Sequence, residues 1–335
     1  MRRALLLVVV LGLTVGLSIA AMAGEAKYTF YFVSHIGPAD PNMLWLTKSI
    51  DAIKKVLPVE VIYSAPEVFS IEKQRELLEA AIAAKPDGLI VPITDPVALE
   101  EPLRRAIAQG IPVVASNIED PRPEPEKIPY LTYVGGDEYQ TGWKMAEYVL
   151  GYFAEQNKQI RKVVVGIGHV GHVGAERRAQ GMMDRMAQEN IPVLKVALTE
   201  EPSKIYEVAR STLEANPDVD VFWVVTMLAT PFVRKAIVDL GLQNQVALAT
   251  VDESPMAIEG ILKGYVIATH SQQFYLQGWL PVMWLYIYKE YGYVPPSREL
   301  VGPVIIDRST AEGWKKRLID IFGEEQYYKL AGWEE

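Results

Sequence analysis

The segment from Ala84 to Asn117 decides the fold; it begins Ala84-Lys-Pro-Asp-Gly-Leu-Ile-Val-Pro-Ile93 and ends Ile111-Pro-Val-Val-Ala-Ser-Asn117. Residues 87–93 form a short apolar run, which is typical of a strand buried on both faces. Residues 96–108 have helical spacing, with Asp95 as the N-cap, a proline at the first helical position and a glycine as the stop. A second buried strand is predicted at 112–116. The segment therefore predicts a strand–helix–strand unit.

The same plan returns about 130 residues later in the chain. Residues 220–225 form the strand of the second copy, and Phe232-Val-Arg-Lys-Ala-Ile237 echoes Leu103-Arg-Arg-Ala-Ile107 in the helix. The last strand of each copy ends on a short polar side chain, Asn117 in the first and Asp252 in the second. Two similar α/β units are therefore expected in one chain.

Strands and helices alternate along the whole chain, which predicts parallel sheets with helices on both faces. About a dozen strands are too many for one open sheet, so we expect two sheets, one for each repeat. Ligands bind to such sheets beyond the carboxyl ends of the strands. The loops at that edge follow Ser34, Val91, Ser116, Gly168, Leu198, Val225 and Val251.

Three stretches outside the repeats carry simpler predictions. A strand at 130–134 is expected to end at Gly135-Gly136, because glycine weakens strands. Residues 300–306 are predicted to form one final strand, and residues 310–333 a helical tail.

The composition excludes several classes of partner. The 335 residues include 33 Lys and Arg against 42 Asp and Glu, for a formal net charge of −9. Nucleic acid and anionic membrane surfaces bind proteins through clusters of Lys and Arg. Because this chain has a net negative charge, neither is expected as a partner. The absence of cysteine from the sequence excludes disulfides, thiolate metal sites, cysteine nucleophiles and a lipid anchor on cysteine.

The first 23 residues have the features of a secretory signal peptide. Arg2-Arg3 is the basic region, residues 4–19 are apolar, and Ala21-Met-Ala23 is a cleavage site before Gly24. The alternative is an uncleaved membrane anchor. No later stretch reaches about 18 apolar residues. We therefore expect an exported, periplasmic protein.

Gly166-Ile-Gly-His-Val-Gly171 fits the G-x-G-x-x-G pattern of dinucleotide-binding loops. A dinucleotide-binding loop is expected after the first strand of the chain, with an acidic residue at the end of the next strand. This segment lies in the second half of the chain, and Glu200 lies beyond the end of the next strand. A tight strand–helix turn is the prediction, with no cofactor.

His169, His172 and Glu176 raise the possibility of a metal cluster, but two glycines among them favour a loop. All four histidines of the chain lie at or near strand ends. The alternative is that they form hydrogen bonds with the backbone or with a neutral ligand. We expect no metal.

Carboxylates near the strand ends allow two interpretations. A pair of them could catalyse glycoside hydrolysis, or they could accept hydrogen bonds from sugar hydroxyls. No G-x-S-x-G elbow or nucleophile–base pair is present, which disfavours an enzyme and predicts no catalytic residue. Trp45 and Phe274 lie near the same edge, where aromatic rings could stack on a sugar.

In this order, several short motifs make the chain resemble the type I periplasmic sugar-binding proteins of the ribose-binding group, which deliver sugars to ABC importers. The resemblance covers nearly all of the mature chain. Besides the export signal and the loop after the first strand, it rests on Pro86-Asp-Gly-Leu-Ile-Val, Gly110-Ile-Pro-Val-Val, Val134-Gly-Gly-Asp137, Arg178-Ala-Gln-Gly181, Asn216-Pro-Asp-Val, Asp252-Glu-Ser-Pro255 and Lys263-Gly264.

The resemblance implies two similar doubly wound parallel-sheet lobes, joined by a hinge of three segments, with ligand in the cleft between them. Residues 25–135 plus 274–304 would form the N-terminal lobe. Residues 136–272 plus 305–335 would form the C-terminal lobe and its helical tail. The crossover segments are expected near 134–137, 271–274 and 304–307.

The resemblance also implies a set of ligand-binding residues. In the loop after the first strand, Asp40, Asn42 and Trp45 take the places of a polar residue and the stacking aromatic residues that follow it. Asn117 takes the place of an acid after the fourth strand, and Ile118 that of the arginine that usually follows.

In the C-terminal lobe, Glu176 falls where a sugar-contacting arginine is usual, while Arg178 matches a framework arginine. Glu200 or Glu201 takes the place of an aromatic residue, and Thr226 that of an asparagine. The family's aspartate and glutamine are kept, as Asp252 and Gln272. His169 and His172 complete the predicted site.

The expected function is capture of a monosaccharide or related polyol, followed by delivery to the membrane subunits of an ABC importer, by a monomer that closes around its hinge. One alternative is an exported, glycosidase-like enzyme. Another is a sugar sensor that docks a chemoreceptor or a sensor kinase. A repressor is disfavoured, because a signal peptide stands where a DNA-binding element would be expected.

Overall fold

Residues 26–333, which the computed structural model describes, alternate between strands and helices. The first run comprises β1 (Tyr28–Val33), α1 (Met43–Ile53), β2 (Val59–Ser64), α2 (Ile71–Ala83), β3 (Gly88–Val91), α3 (Pro96–Ala108), β4 (Val113–Asn117) and β5 (Thr132–Gly136). The second comprises α4 (Glu138–Glu155), β6 (Val163–Ile167), α5 (Val173–Ala187), β7 (Val193–Ala197), α6 (Pro202–Ala215), β8 (Val221–Val224), α7 (Thr230–Asp239), β9 (Ala247–Ala249), α8 (Pro255–Leu262) and β10 (Ala268–Ser271). The chain closes with α9 (Phe274–Tyr291), β11 (Arg298–Gly302), β12 (Val304–Asp307), α10 (Ala311–Phe322) and α11 (Glu324–Leu330).

These strands form two six-stranded sheets. The first has the order β2-β1-β3-β4-β5-β11, and all its neighbours are parallel. The second has the order β7-β6-β8-β9-β10-β12, in which only β12 runs antiparallel to its neighbour. We call the half built on the first sheet the N-lobe and the other half the C-lobe. The predicted architecture of two parallel-sheet α/β lobes is confirmed.

Three connections pass between the sheets, from β5 to β6, from β10 to β11 and from β11 to β12. The third consists of Pro303 alone, one residue before the predicted crossover at 304–307. The prediction of one strand at 300–306 is therefore wrong, because β11 and β12 belong to different sheets. Proline has no N–H for a ladder, so the strand breaks there. The exact lobe boundaries stay a prediction.

The first repeat folds as its sequence indicates. The Asp95 carboxylate accepts hydrogen bonds from the backbone N–H groups of Val97 (2.9 Å) and Ala98 (3.0 Å), and so caps α3. Each of the two copies ends on a residue in the left-handed conformation, Asn117 with φ 66° and Asp252 with φ 72°. Short polar residues tolerate this conformation better than other non-glycine residues.

Two further predictions need correction. Gly135 and Gly136 continue β5 instead of ending it, since their partners in β4 and β11 extend the ladder. The helical tail is two helices, which part at Gly323, where φ is +84°. Glycine adopts this conformation at little steric cost, so it ends the first helix.

Helices α4 and α5 approach each other closely through two glycines. A Cβ atom on Gly142 would lie 1.8 Å from the carbonyl oxygen of Arg178. One on Gly181 would lie 2.0 Å from the carbonyl oxygen of Tyr139. Only glycine fits at such distances, so these positions set the spacing between the helices.

No helix within residues 26–333 is both long and apolar enough to cross a membrane. The predicted signal peptide, residues 1–23, lies outside the described residues.

Candidate functional site

A small polar cavity lies between the two lobes, at the carboxyl ends of strands from both sheets. Its volume is about 30 Å³. Typical small-molecule pockets enclose roughly 300–1,000 Å³, so the cavity belongs to a closed cleft. Its walls are formed by His35, Ile36, Asp40, Asn42, Asn117, His169, His172, Ala175, Arg178, Val225, Thr226, Met227, Leu228, Asp252, Gln272 and Phe274.

Direct contacts hold the two lobes together around this cavity. The side-chain amide of Asn42, in the N-lobe, donates to Asp252 Oδ2, in the C-lobe, over 2.8 Å. The backbone N–H of Val173 donates to the carbonyl oxygen of Thr94 over 3.0 Å. Both contacts cross the cleft, so it cannot open without breaking them.

Gln272 connects the cavity to the crossover that follows β10. Its side-chain amide nitrogen donates to Asp252 Oδ1 over 2.5 Å. Its amide oxygen accepts from Asn117 Nδ2 at 3.0 Å and from Arg178 Nη2 at 2.8 Å. Gln272 therefore joins polar groups of both lobes at the hinge.

A buried ion pair supports the C-lobe side of the cavity. The guanidinium of Arg178, in α5, pairs with the Glu138 carboxylate at the start of α4, and both side chains are almost fully buried. Breaking a buried pair leaves an uncompensated charge, which is strongly destabilising. The pair therefore fixes the position of Arg178 beside Gln272.

Two carboxyl groups face the same cavity. Burial and, to a smaller extent, the nearby negative charge of Asp252 together raise the pKa of Asp40 to about 6. Burial also raises the pKa of Asp252 above its ordinary value, although the positive charge of Arg178 opposes the effect. Asp252 accepts hydrogen bonds from Asn42 and Gln272, as an ionised carboxylate does.

Burial favours the neutral form of two imidazoles at the cavity, those of His35 and His172. Burial lowers the pKa of His35 to about 3 and that of His172 well below its ordinary value. His172 Nδ1 accepts from the backbone N–H of Ala175 at 3.2 Å, which leaves its proton on Nε2. The rings of His35 and His172 lie 5.0 Å apart, and Phe69 lies 4.5 Å from His169.

Two buried polar atoms of the cavity residues have no hydrogen-bond partner within the described part of the chain, His35 Nδ1 and Asn42 Oδ1. A buried polar atom without a partner costs free energy. Both side chains belong to the N-lobe. They are therefore available to bind polar groups of a ligand.

The structure brings most of the predicted site residues together. Thr226 belongs to this set, and its hydroxyl accepts from the backbone N–H of Gly168 at 3.1 Å. The predicted residues that line the cavity are Asp40, Asn42, Asn117, His169, His172, Thr226, Asp252 and Gln272.

Three predicted site residues lie elsewhere. Trp45 is 2% exposed and packs edge-on against Phe322, with ring centroids 4.7 Å apart, so it cannot stack on a ligand in the cavity. Glu176 points to the surface and pairs with Lys195 over 2.6 Å. Glu200 stands behind the cavity wall, where its carboxylate lies 2.6 Å from His169 Nδ1.

The sequence prediction missed several cavity residues. Val225 directly follows β8 and His35 lies two residues after β1, so the strand-end rule already pointed to their loops. Arg178, which the resemblance places only in the framework, also lines the cavity. Phe274, expected as an aromatic wall, does line the cavity. The other missed residues are Ile36, Ala175, Met227 and Leu228.

The glycine-rich segment at 166–171 forms a tight turn, as predicted. A Cβ atom on Gly168 would lie 2.8 Å from the Thr226 side chain, and Gly171 has φ +83°. In the part of the chain that the structure describes, no three or more His, Cys, Asp and Glu side chains are grouped to hold a metal ion. The Glu176 carboxylate pairs with Lys195 instead.

Two parallel-sheet lobes with a polar cleft between them define the periplasmic-binding-protein class. The sequence profile described as "Periplasmic binding protein domain" matches residues 33–291, and the chain belongs to this family. Among curated proteins it is similar to the xylose/arabinose-binding protein XylF of Sulfolobus acidocaldarius, with 28% identity over 240 residues. That match covers 69% of this chain and 57% of the relative, so it spans little more than half of the relative's length.

Solved structures with the same fold include sugar-binding proteins. A carbohydrate transporter of Acidothermus cellulolyticus in complex with myo-inositol has a TM-score of 0.77 and 23% identity, covering 90% of this chain and 99% of that one. A solute-binding protein of Agrobacterium vitis bound with α-D-tagatopyranose has a TM-score of 0.76 and 19% identity, covering 85% and 96%. At this identity the likeness establishes the fold alone.

Proposed function

We propose that the protein captures a monosaccharide or related polyol between its lobes and delivers it to an ABC importer. The observation that carries this proposal is the chemistry of the interlobe cavity. Asp252 and Asn117 reach it from opposite lobes, and its other polar walls are the Asp40 carboxyl, amides, imidazoles, the Thr226 hydroxyl and an arginine paired with a buried glutamate. Such groups suit a neutral ligand rich in hydroxyls.

The similar proteins support the same class of ligand. The curated relative is named for xylose and arabinose, and the solved structures contain myo-inositol and α-D-tagatopyranose. All are small polyhydroxylated molecules. The proposal extends that class to this chain without choosing one sugar.

Binding would proceed by closure of the lobes around the hinge. Because the closed cavity holds only about 30 Å³, a sugar enters an open form. A ligand that touches both lobes then favours the closed state by its differential affinity. Its hydroxyls would take over hydrogen bonds that Asn42, Asp252 and Gln272 now make with one another.

The proposed role is binding without catalysis. Both oxygens of Asp252 accept hydrogen bonds from amides, which suits a carboxylate that recognises hydroxyls. Prolonged incubation with free sugars and aryl glycosides should return each compound unchanged by chromatography. Release of a reducing sugar would support the enzyme instead.

The mature protein is proposed to be a periplasmic monomer that begins at Gly24. Intact mass and N-terminal sequencing of the exported protein test the cleavage, and analytical ultracentrifugation tests the oligomeric state. Stimulation of the ATPase of a reconstituted importer by the liganded protein tests delivery.

A thermal-shift screen of pentoses, hexoses and polyols, followed by calorimetry, tests the ligand class. A ligand at 100 times its dissociation constant stabilises the protein by about 2.7 kcal/mol, which is readily detected. Asp252→Ala should weaken the affinity for the best sugar by roughly tenfold or more, because hydrogen bonds to a charged group contribute about 1.5–3 kcal/mol. Asp51→Ala, on the exposed face of α1, is the matched control. A screen without any shift would contradict the proposal.

A further inference from the structure

A second pocket adjoins the cleft within the C-lobe, and we call it the side pocket. Its volume is about 260 Å³. It lies between the loop that joins β7 to α6 and the segment that joins β8 to α7. The side pocket is lined by Thr199, Glu200, Pro202, Ile205, Thr226, Leu228, Ala229 and Phe232.

The walls of the side pocket are mostly apolar. Ile205 and Ala229 are buried, at 3% and 1% exposure, and Phe232 is half-buried. The one charged side chain in its lining is Glu200, which is held by His169 over 2.6 Å. The pocket therefore suits an apolar group and offers few hydrogen bonds to a sugar ring.

The side pocket and the cleft cavity are neighbours with shared walls. Thr226 and Leu228 line both of them. His169 lines the cleft and Glu200 the side pocket, so their contact stands at the boundary. Because every lining residue belongs to the C-lobe, the side pocket stays formed when the lobes separate.

We propose that the side pocket binds an apolar substituent carried by the ligand in the cleft, such as the alkyl or aryl group of a glycoside. This inference rests on the proposed sugar-binding function. The size is suitable, because an apolar cavity of about 150 Å³ in another protein holds benzene. The ligands of this protein then include glycosides with an apolar aglycone, besides free sugars.

Calorimetry with matched sugars tests the inference. The probes are D-xylose, methyl D-xyloside and phenyl D-xyloside, in both anomers, followed by the same series from L-arabinose and from the best sugar of the screen. One phenyl glycoside should bind at least about tenfold more tightly than the methyl glycoside of the same anomer, because it buries a whole ring.

Variants of Phe232 separate the side pocket from the cleft, whose walls do not include this residue. Phe232→Gln should abolish the phenyl gain and leave the affinity for the free sugar unchanged. Phe232→Leu keeps an apolar wall and should keep most of the gain, which guards against a misfolded Gln variant. Val238→Gln, on an exposed position of the same helix, should change neither value.

The outcomes distinguish the two proposals. If free sugars bind but no phenyl glycoside gains affinity, the side-pocket inference is overturned and the sugar-binding function stands. A gain that survives in Phe232→Gln also overturns it, since the ring must then bind elsewhere. If no sugar, polyol or glycoside binds, both proposals fail.

Discussion

The side-chain amide nitrogen of Asn42 lies 2.8 Å from Asp252 Oδ2 and forms a buried hydrogen bond between the two lobes. Its acceptor is a carboxylate, which makes the bond stronger than one between neutral groups. Asn42 keeps its own amide oxygen without a partner among the described residues. The same side chain therefore both closes the cleft and offers an acceptor to a ligand.

Loss of this bond should open the protein in the absence of ligand. In Asn42→Ala, the closed form loses a hydrogen bond to a charged group, a contribution of about 1.5–3 kcal/mol. Small-angle X-ray scattering should then show a larger radius of gyration than for the parent protein. Asn244→Ala, on an exposed residue of the C-lobe, should leave the radius unchanged. Equal radii for all three proteins would show that Asn42 does not hold the lobes closed.

Glu253 is expected to stabilise the hinge. Its two carboxyl oxygens accept hydrogen bonds from the backbone N–H groups of Gln272 at 2.9 Å and Phe274 at 2.8 Å, and Phe274 begins α9. Glu253→Ala leaves both groups buried without a partner, so urea denaturation at pH 5 should show a loss of about 2–5 kcal/mol. The exposed substitution Glu155→Ala is the control.

The cost of Glu253→Ala should also depend on pH. Burial raises the pKa of Glu253 from 4.5 to about 7, and the charge of Asp252 adds to this effect. The stabilisation by a carboxyl group of this kind is complete below pH 4.5 and declines as the pH rises through 7. The difference between parent and variant should therefore narrow between pH 5 and pH 8. A difference that widens would refute the assignment.

His270 should limit the stability of the protein in acid. It is fully buried in β10, and neither ring nitrogen has a hydrogen-bond partner within residues 26–333. Replacement by an apolar side chain removes this cost, so His270→Leu should raise the free energy of unfolding at pH 7 by about 1–3 kcal/mol. Urea denaturation measures the change.

The advantage of His270→Leu should grow below pH 6.5. Burial lowers the pKa of His270 well below 6.5, so acid protonates the unfolded chain first and the parent loses stability. One proton corresponds to at most about 1.4 kcal/mol per pH unit. His270→Gln, which cannot titrate but stays polar, should remove the added pH dependence without the gain at pH 7. The same slope in all three proteins would contradict the prediction.

Two glycines of helix α4 should respond in opposite ways to alanine. Gly142→Ala forces α4 and α5 apart, because the new Cβ would lie 1.8 Å from the Arg178 carbonyl oxygen, and we expect a loss of at least about 2 kcal/mol. Gly151 faces open space in the same helix, so Gly151→Ala should be neutral or stabilise by up to about 1 kcal/mol. Thermal denaturation compares them.

The displacement in Gly142→Ala should also reach the cleft, since Arg178 donates to Gln272 there. Calorimetry should therefore find weaker sugar binding by this variant and unchanged binding by Gly151→Ala. Equal affinities would show that the helix spacing does not position Arg178.

The parts of the fold that depend on local chemistry could be predicted from the sequence. Asp95, Pro96 and Gly110 mark the ends of α3, because caps and glycine stops act over a few residues. Asn117 and Asp252 reach the cleft for a similarly local reason, because Asn117 ends β4 and Asp252 lies three residues after β9. The strand-end rule then placed both of them at one edge.

The errors concern contacts between distant residues and the rotation of helices. The resemblance places Trp45 against the ligand, but its partner Phe322 lies far along the chain and only the folded structure brings them together. Glu176 and Arg178 are two residues apart, and such positions face different sides of a helix. Arg178 thus lines the cavity while Glu176 reaches solvent, and the motif alone does not reveal this rotation.

The left-handed backbone at Asn117 and Asp252 restricts which side chains the cleft can use there. Glycine, asparagine and aspartate adopt this conformation most readily, and glycine offers no recognition group. The polar side chains compatible with each position are therefore the amide of asparagine and the carboxylate of aspartate. They differ by one charge and have almost the same volume. Exchanges such as Asn117→Asp or Asp252→Asn would therefore change the charge of the cleft by one unit and leave its backbone and its volume almost unaltered.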